Sequence, residues 1–245
     1  MARTKKVIDF RDVQPHGTIF KVFDNVFMVT GTNITEHEGI RFQTSRNMII
    51  IKNGDNLSLI NTVRLDDKEL EQLNTLGKVK NVVRIGAFHG YDDPFYVETY
   101  QADFWQMQGM DNQHEFKNIK ILSSDNMPIP NSSLFTFQTT IFQEGIIILH
   151  DNDGILISCD SIQNWTKKDE FFSDDCWEMF VEQGLIGIAN IPDTWVSACK
   201  PNVDELAEIK SLHFSHLLSA HGEPLMNSAN QDLEKSLKNK FNIPI

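Results

Sequence analysis

Residues 86–93, GAFHGYDD, put one imidazole, His89, within four positions of two adjacent carboxylates, Asp92 and Asp93. An imidazole with two carboxylates is a workable set for proton transfer near neutral pH, or for holding one divalent ion such as Fe(II), Mn(II) or Zn(II). Two further stretches carry similar groups. SCDSIQNW, residues 158–165, closes the apolar run ILIS with Asp160, and SAHGEPL, residues 219–225, presents His221 ahead of a glycine. All three follow apolar runs and read as loops at the ends of buried strands, where the strand fixes position and the loop offers open side chains. Plainer roles compete: Asp92 and Asp93 stand before Pro94 and suit helix capping, and Glu144 before Gly145 suits a turn. Trp165 is close enough to Asp160 to line a pocket.

The elements that must position these groups follow from periodicity. TIFKVF and NVFMVT in residues 18–30, with VIDF before them, alternate as antiparallel strands, and residues 31–39 read as turn-rich. Residues 47–52, NMIIIK, turn at Gly54-Asp55 into residues 57–63, a hairpin pattern. Residues 65–77 change to helical period, with Asp66 and Asp67 at the start and Gly77 at the end. Residues 82–85 form the next strand, so a βαβ unit with parallel pairing is expected. Beyond it, residues 97–108 suit a short helix with Tyr100, Phe104 and Trp105, and residues 119–122 a short strand. Strands follow at 134–140, 145–149 and 154–158. A helix from residue 174 places Trp177, Phe180 and Val181 on one face. Residues 192–200 are irregular, 203–212 helical, 214–219 a short apolar run, and 229–241 a charged amphipathic helix.

The 245 residues fit one domain, read here as residues 1–245. Lys and Arg number 22 against 34 Asp and Glu, a formal charge of −12, which repels phosphate backbones and argues against a nucleic-acid partner. Met1 to Lys6 are a short basic start. Three cysteines, Cys159, Cys176 and Cys199, lack CxxC spacing and suit unpaired thiols in a reducing compartment. No secretory signal pattern or long apolar span is present, so the expectation is a soluble, cytoplasmic protein acting on a small molecule without a membrane partner.

The order and spacing of the three loops resemble the metallo-β-lactamase-fold hydrolases. That family carries H-x-H-x-D-H in the first loop, a further His from a GH-type turn, a bridging Asp at a strand end, and a last His in a GHG-like turn. The resemblance implies a four-layer αββα sandwich of the α/β (α+β) class. It implies metal ligands among His89, Asp92, Asp93, Asp160 and His221, with Asp92 or Asp93 also acting as the catalytic proton acceptor. The pattern is incomplete: Ala87 stands at the first His, Tyr91 at the Asp, and Asp92 at the last His, or Asp92 and Asp93 fill the last two positions if the register slides by one. Phe142 or Glu144 occupies the neighbourhood of the third His, and Asn61 replaces an Asp of the family's LIDTG-like strand. One divalent ion (zinc, iron or manganese) serving hydrolysis of an ester, thioester, amide or phosphoester is one implication. A metal-free member kept as a binding or scaffolding module is the other.

Overall fold

The computed structural model describes residues 10–37, 39–112 and 114–244; the basic start and most of the VIDF strand expectation lie outside them. Isoleucines at successive positions of the central strands divide between two faces, and that division sets the architecture. Ile49 and Ile51 of one strand meet Ile147, Leu149, Ile155 and Ile157 across the middle of the molecule, whereas Met48 and Ile50 join the helices on the other side. Ile146, Ile148 and Leu156 likewise turn outward toward Trp195, Leu206, Leu233 and Leu237. Two sheets therefore share one inner core, and each is covered outside by helices, giving the αββα sandwich that the resemblance implied.

The first sheet has the order β1 (Phe20–Phe23), β2 (Val26–His37), β3 (Ile40–Asn53), β4 (Asn56–Ile60), β5 (Lys78–Arg84), β6 (Asp103–Gln106), β7 (Ile119–Ile121). It is antiparallel through β4 and parallel from β4 to β7. Its outer face carries α1 (Asp67–Leu76), capped by the Asp66 side chain on Glu69 N, and α2 (Asp93–Tyr100). The second sheet runs β11 (His216–Ser219), β10 (Ile155–Ser158), β9 (Gly145–Leu149), β8 (Ser132–Thr136), covered by α4 (Asp193–Cys199), α5 (Val203–Glu208) and α6 (Ala229–Phe241). Because β10 and β11 are parallel, their carboxyl ends, and the Asp160 and His221 loops, emerge at one edge.

Four expectations are corrected. Residues 103–106 are strand, not helix: Phe104 and Trp105 enter opposite cores, which period 2 allows and a helix does not. Residues 31–37 continue β2 in register with β3, Gly31 opposite Arg46, the β-branched Thr32, Ile34 and Thr35 suiting a strand. Residues 193–199 are helical, started after Pro192 and ended by Lys200 in the left-handed region. In α3 (Asp174–Glu182), Trp177 and Phe180 pack beside Trp165 while Val181 is exposed. No described helix is long and apolar enough to cross a membrane.

The two edges of the sandwich are stitched by backbone. Gly145 N donates to Ile85 O (2.8 Å) and Ala87 N to Gln143 O (3.1 Å), tying the loop after β5 to the start of β9. Gly222, with φ of 88°, lies so close to Asn164 that a Cβ would fall 2.1 Å from its carbonyl carbon and oxygen. That contact is backbone on backbone and cannot relax by a rotamer change. Gly222→Ala is expected to lower stability by about 3 kcal/mol, read from urea unfolding.

Candidate functional site

Three loops bring three side chains to one point. His89 follows β5, Asp160 follows β10 and His221 follows β11. His221 Nε2 stands 3.0 Å from Asp160 Oδ1, His89 Nε2 stands 3.4 Å from the same oxygen, and the two Nε2 atoms are 3.2 Å apart. Both imidazoles are buried, and the Asp160 side chain is 14% exposed toward a cleft of about 880 Å³.

The proton inventory at this point does not close by itself. His221 Nδ1 faces Ser45 O at 3.2 Å, and a carbonyl only accepts, so Nδ1 carries the proton. A neutral His221 then turns a bare Nε2 lone pair toward the Asp160 carboxylate at 3.0 Å with no hydrogen between them. A second proton on His221 or a cation among the three atoms removes the conflict. The spacing fits a cation: bonds of about 2.0–2.1 Å in tetrahedral array hold ligand atoms roughly 3.3 Å apart. Burial lowers the pKa of His89, with Asp160 partly restoring it, and so favours the neutral imidazole. Burial alone would raise Asp160; protonated His89 and His221, through their charge and hydrogen bonds, pull it well below the usual carboxylate range, and it stays ionised. A neutral imidazole and an ionised carboxylate are the forms a divalent ion takes.

The other candidates are placed differently. Asp92 occupies the cap position of α2 but makes no capping bond; its Oδ2 accepts from Arg46 Nη2 and from Arg64 N (2.7 Å). Asp93 is buried and accepts from Thr62 Oγ1 (2.6 Å); burial raises its pKa, against the Thr62 bond and the Arg84 charge. Neither carboxylate therefore belongs to the group formed by His89, Asp160 and His221. Glu144 also points elsewhere, accepting from Ser161 N (2.8 Å) and Trp195 Nε1 (2.9 Å), while Phe142 lies exposed against Phe88 with ring centres 5.1 Å apart. Trp165 backs His221, their rings 4.7 Å apart, and is absent from the cleft wall. Cys159 Sγ comes within 4.8 Å of donor atoms of His89 and Asp160, yet its hydrogen-bond contacts are Asp160 Oδ2 (3.4 Å) and Asn61 Oδ1 (3.6 Å). Burial and the two nearby carboxylates, Asp160 and Glu144, raise the Cys159 pKa well above its ordinary value, so it stands as a thiol.

Sequence reasoning missed the segment Ser45-Arg46-Asn47 on β3, which braces the site from beneath. All three are buried. Ser45 O fixes His221, and Ser45 Oγ accepts from Trp165 Nε1 (3.2 Å). Arg46 pairs with Asp92 on the His89 loop. Asn47 Nδ2 donates to Ser219 O (3.0 Å) and Gly222 O (2.6 Å), and Asn47 N to Ala220 O (2.8 Å), holding the loop of His221 on both sides. The available signal was a run of five polar residues, Gln43 to Asn47, inside a strand that runs on into successive isoleucines, which a strand facing two apolar cores does not need. Arg84 was missed too: it donates to the carbonyls of Gly86, Ala87 and Asp111 and holds the His89 loop from the other side.

No family model matches the sequence, and no curated protein matches it. Among solved structures the chain is similar to the metallo-β-lactamase FIM-1 from Pseudomonas aeruginosa in its mono-zinc form, with 14% identity, 95% of this chain and 98% of that one covered, and a TM-score of 0.59. It is also similar to a metallo-β-lactamase from Hirschia baltica, with 14% identity, 91% and 98% covered, TM-score 0.58. One from Erythrobacter litoralis gives 13% identity, 94% and 96% covered, TM-score 0.57. The chain has the metallo-β-lactamase fold.

Two outcomes follow from these contacts. Arg46→Met leaves the Asp92 carboxylate buried without its counter-charge and is expected to cost roughly 3–5 kcal/mol in denaturant unfolding, most of it recovered in the Arg46→Met/Asp92→Leu double variant. Glu144 is pushed up to about 8, first by burial and then by Asp160. A carboxyl held above its unfolded value keeps its proton in the fold at pH values where the unfolded chain has released it. The contribution of Glu144 to the stability of the metal-free protein therefore falls as pH rises from about 4.5 toward 8, and the stability difference between wild type and Glu144→Gln shifts in that direction between thermal melts at pH 5 and pH 8.

Proposed function

We propose, from the fold and the three converging donors, that the chain is a metal-dependent hydrolase using one divalent ion held by His89 Nε2, His221 Nε2 and Asp160 Oδ1. The observation that carries this reading is the trio of atoms 3.0 to 3.4 Å apart, whose closest contact needs either a second proton on His221 or a cation. Bound there, the ion would supply Lewis-acid polarisation of a scissile carbonyl or phosphoryl group and make water a nucleophile near neutral pH. The substrate class is an ester, thioester, amide or phosphoester.

The chain's own residues orient and exclude. Ser45 O fixes the His221 tautomer so that Nε2 faces the cleft, a role usual for groups behind ligating imidazoles. Asp92 and Asp93, in this reading, hold the His89 loop through Arg46, Arg64 and Thr62, and not as proton acceptors. One ion is the expected number, because Ala87, Tyr91 and Phe142 offer no imidazole or carboxylate, and Glu144 is turned toward Trp195. The metal-free binding module remains the second reading, favoured by those same replacements.

Elemental analysis of the purified protein, paired with His221→Ala, separates the two. The hydrolase reading expects about one zinc, iron or manganese per chain, a loss of at least tenfold in affinity in the variant, and turnover of a simple ester or thioester that falls with it. A wild-type chain that takes up no ion from excess Zn(II), Mn(II) or Fe(II) overturns it.

A further inference from the structure

The charge around the cleft is opposite to that of the chain. The sequence holds six arginines and sixteen lysines; three of the arginines, Arg11, Arg64 and Arg84, line the cleft, a fourth, Arg46, lies buried beneath it, and no described lysine lines it. In a protein of charge −12 this is a local reversal of sign, made with the cation whose planar fork matches a carboxylate or phosphate. Arg84 is spent on loop carbonyls. Arg11 and Arg64 are not: each donates to one backbone carbonyl, of Ile34 and Leu65 respectively, and neither pairs with a carboxylate among the described residues. Arg11 Nη1 and Arg64 Nε are buried without any partner.

Both guanidiniums are seated on aromatic rings of one wall. Arg11 lies 5.0 Å from the Tyr91 ring centre and Arg64 3.1 Å from that of Phe95, and Phe10, next to Arg11 in sequence, packs edge-on to Phe95 at 5.5 Å. Stacking holds a guanidinium in place while leaving its in-plane donors directed at a ligand. Of the three acids lining the cleft among the described residues, Asp92 is engaged by Arg46 and Asp160 by the imidazoles, which leaves Asp111. The cleft also carries an apolar lip: Phe88, Phe142 and Ile141 line it and are 43%, 43% and 54% exposed.

We infer that the cleft selects a small organic anion, its carboxylate or phosphate bound by Arg11 and Arg64 and its apolar body lying on Phe88 and Phe142. This deepens the hydrolase reading by naming the substrate as an anionic one, yet the anion site does not depend on the metal. The test is an NMR-detected titration of the full chain after removal of metal with EDTA, using benzoate, phenyl phosphate and the neutral benzamide. Benzoate or phenyl phosphate is expected to bind about tenfold tighter than benzamide, the range of a hydrogen-bonded charge pair, and to weaken as NaCl rises. The tighter of the two anions identifies the headgroup. Arg11→Gln and Arg64→Gln are each expected to remove the preference, and Arg64→Lys to retain only part of it. Equal binding of benzoate and benzamide, or a preference untouched in a folded Arg11→Gln chain, overturns the inference. Loss of metal binding with the anion preference kept would instead count against the hydrolase reading alone.

Discussion

A half-buried carboxylate that stays ionised is the constraint around which the edge of this sandwich is built. Asp160 sits between two imidazoles at the mouth of the inner core, where an unpaired charge is costly. Its compensation has to come from loops on both sheets, and those loops must arrive with ångström accuracy. His89 comes from the first sheet, His221 from the second, and neither strand end could carry its imidazole to the same oxygen without bracing from behind. The site is thus a consequence of how the two sheets are tied at one edge, and the backbone bonds joining residues 85 and 87 to residues 143 and 145 belong to it as much as the three side chains do.

The bracing itself falls to β3. A strand facing two apolar cores has no reason of its own to carry serine, arginine and asparagine in succession, yet each of the three closes a bond to one of the loops that hold the donors. Arg46 brings a buried positive charge beneath the site, so part of the electrostatic support for its anionic groups comes from a fixed guanidinium. Arg84 plays a comparable part with carbonyl oxygens as its only backbone partners in the His89 loop. Cys159 fits this picture as packing: a Cβ on Gly86 would fall 2.2 Å from its sulfur, so the loop after β5 lies directly on the thiol.

Much of this was legible in the sequence where periodicity was strong or loops followed apolar runs. The hairpin at Gly54-Asp55, the helix opened by Asp66 and the terminal helix over residues 229–241 all stand where pattern placed them. His89, Asp160 and His221 were recognisable because each follows a buried strand. The strand at residues 103–106 was not, because Tyr100 and Phe104 are four apart and mimic a helical face, and only the two cores show that Phe104 and Trp105 part company. Asp92 and Asp93 could not be resolved from position alone; their partners, Arg46 and Thr62, lie 46 and 31 residues away, and no local rule connects them. The same distance hid the role of residues 45–47.

The central claim, that two imidazoles and one carboxylate form a single cation site, is most directly tested by X-ray absorption at the metal edge of the zinc-loaded protein. The account predicts one ion with only nitrogen and oxygen neighbours at about 2.0–2.1 Å and the outer-shell scattering of two imidazoles. A sulfur neighbour at about 2.3 Å, placing Cys159 on the ion, or a spectrum lacking imidazole scattering, would contradict it.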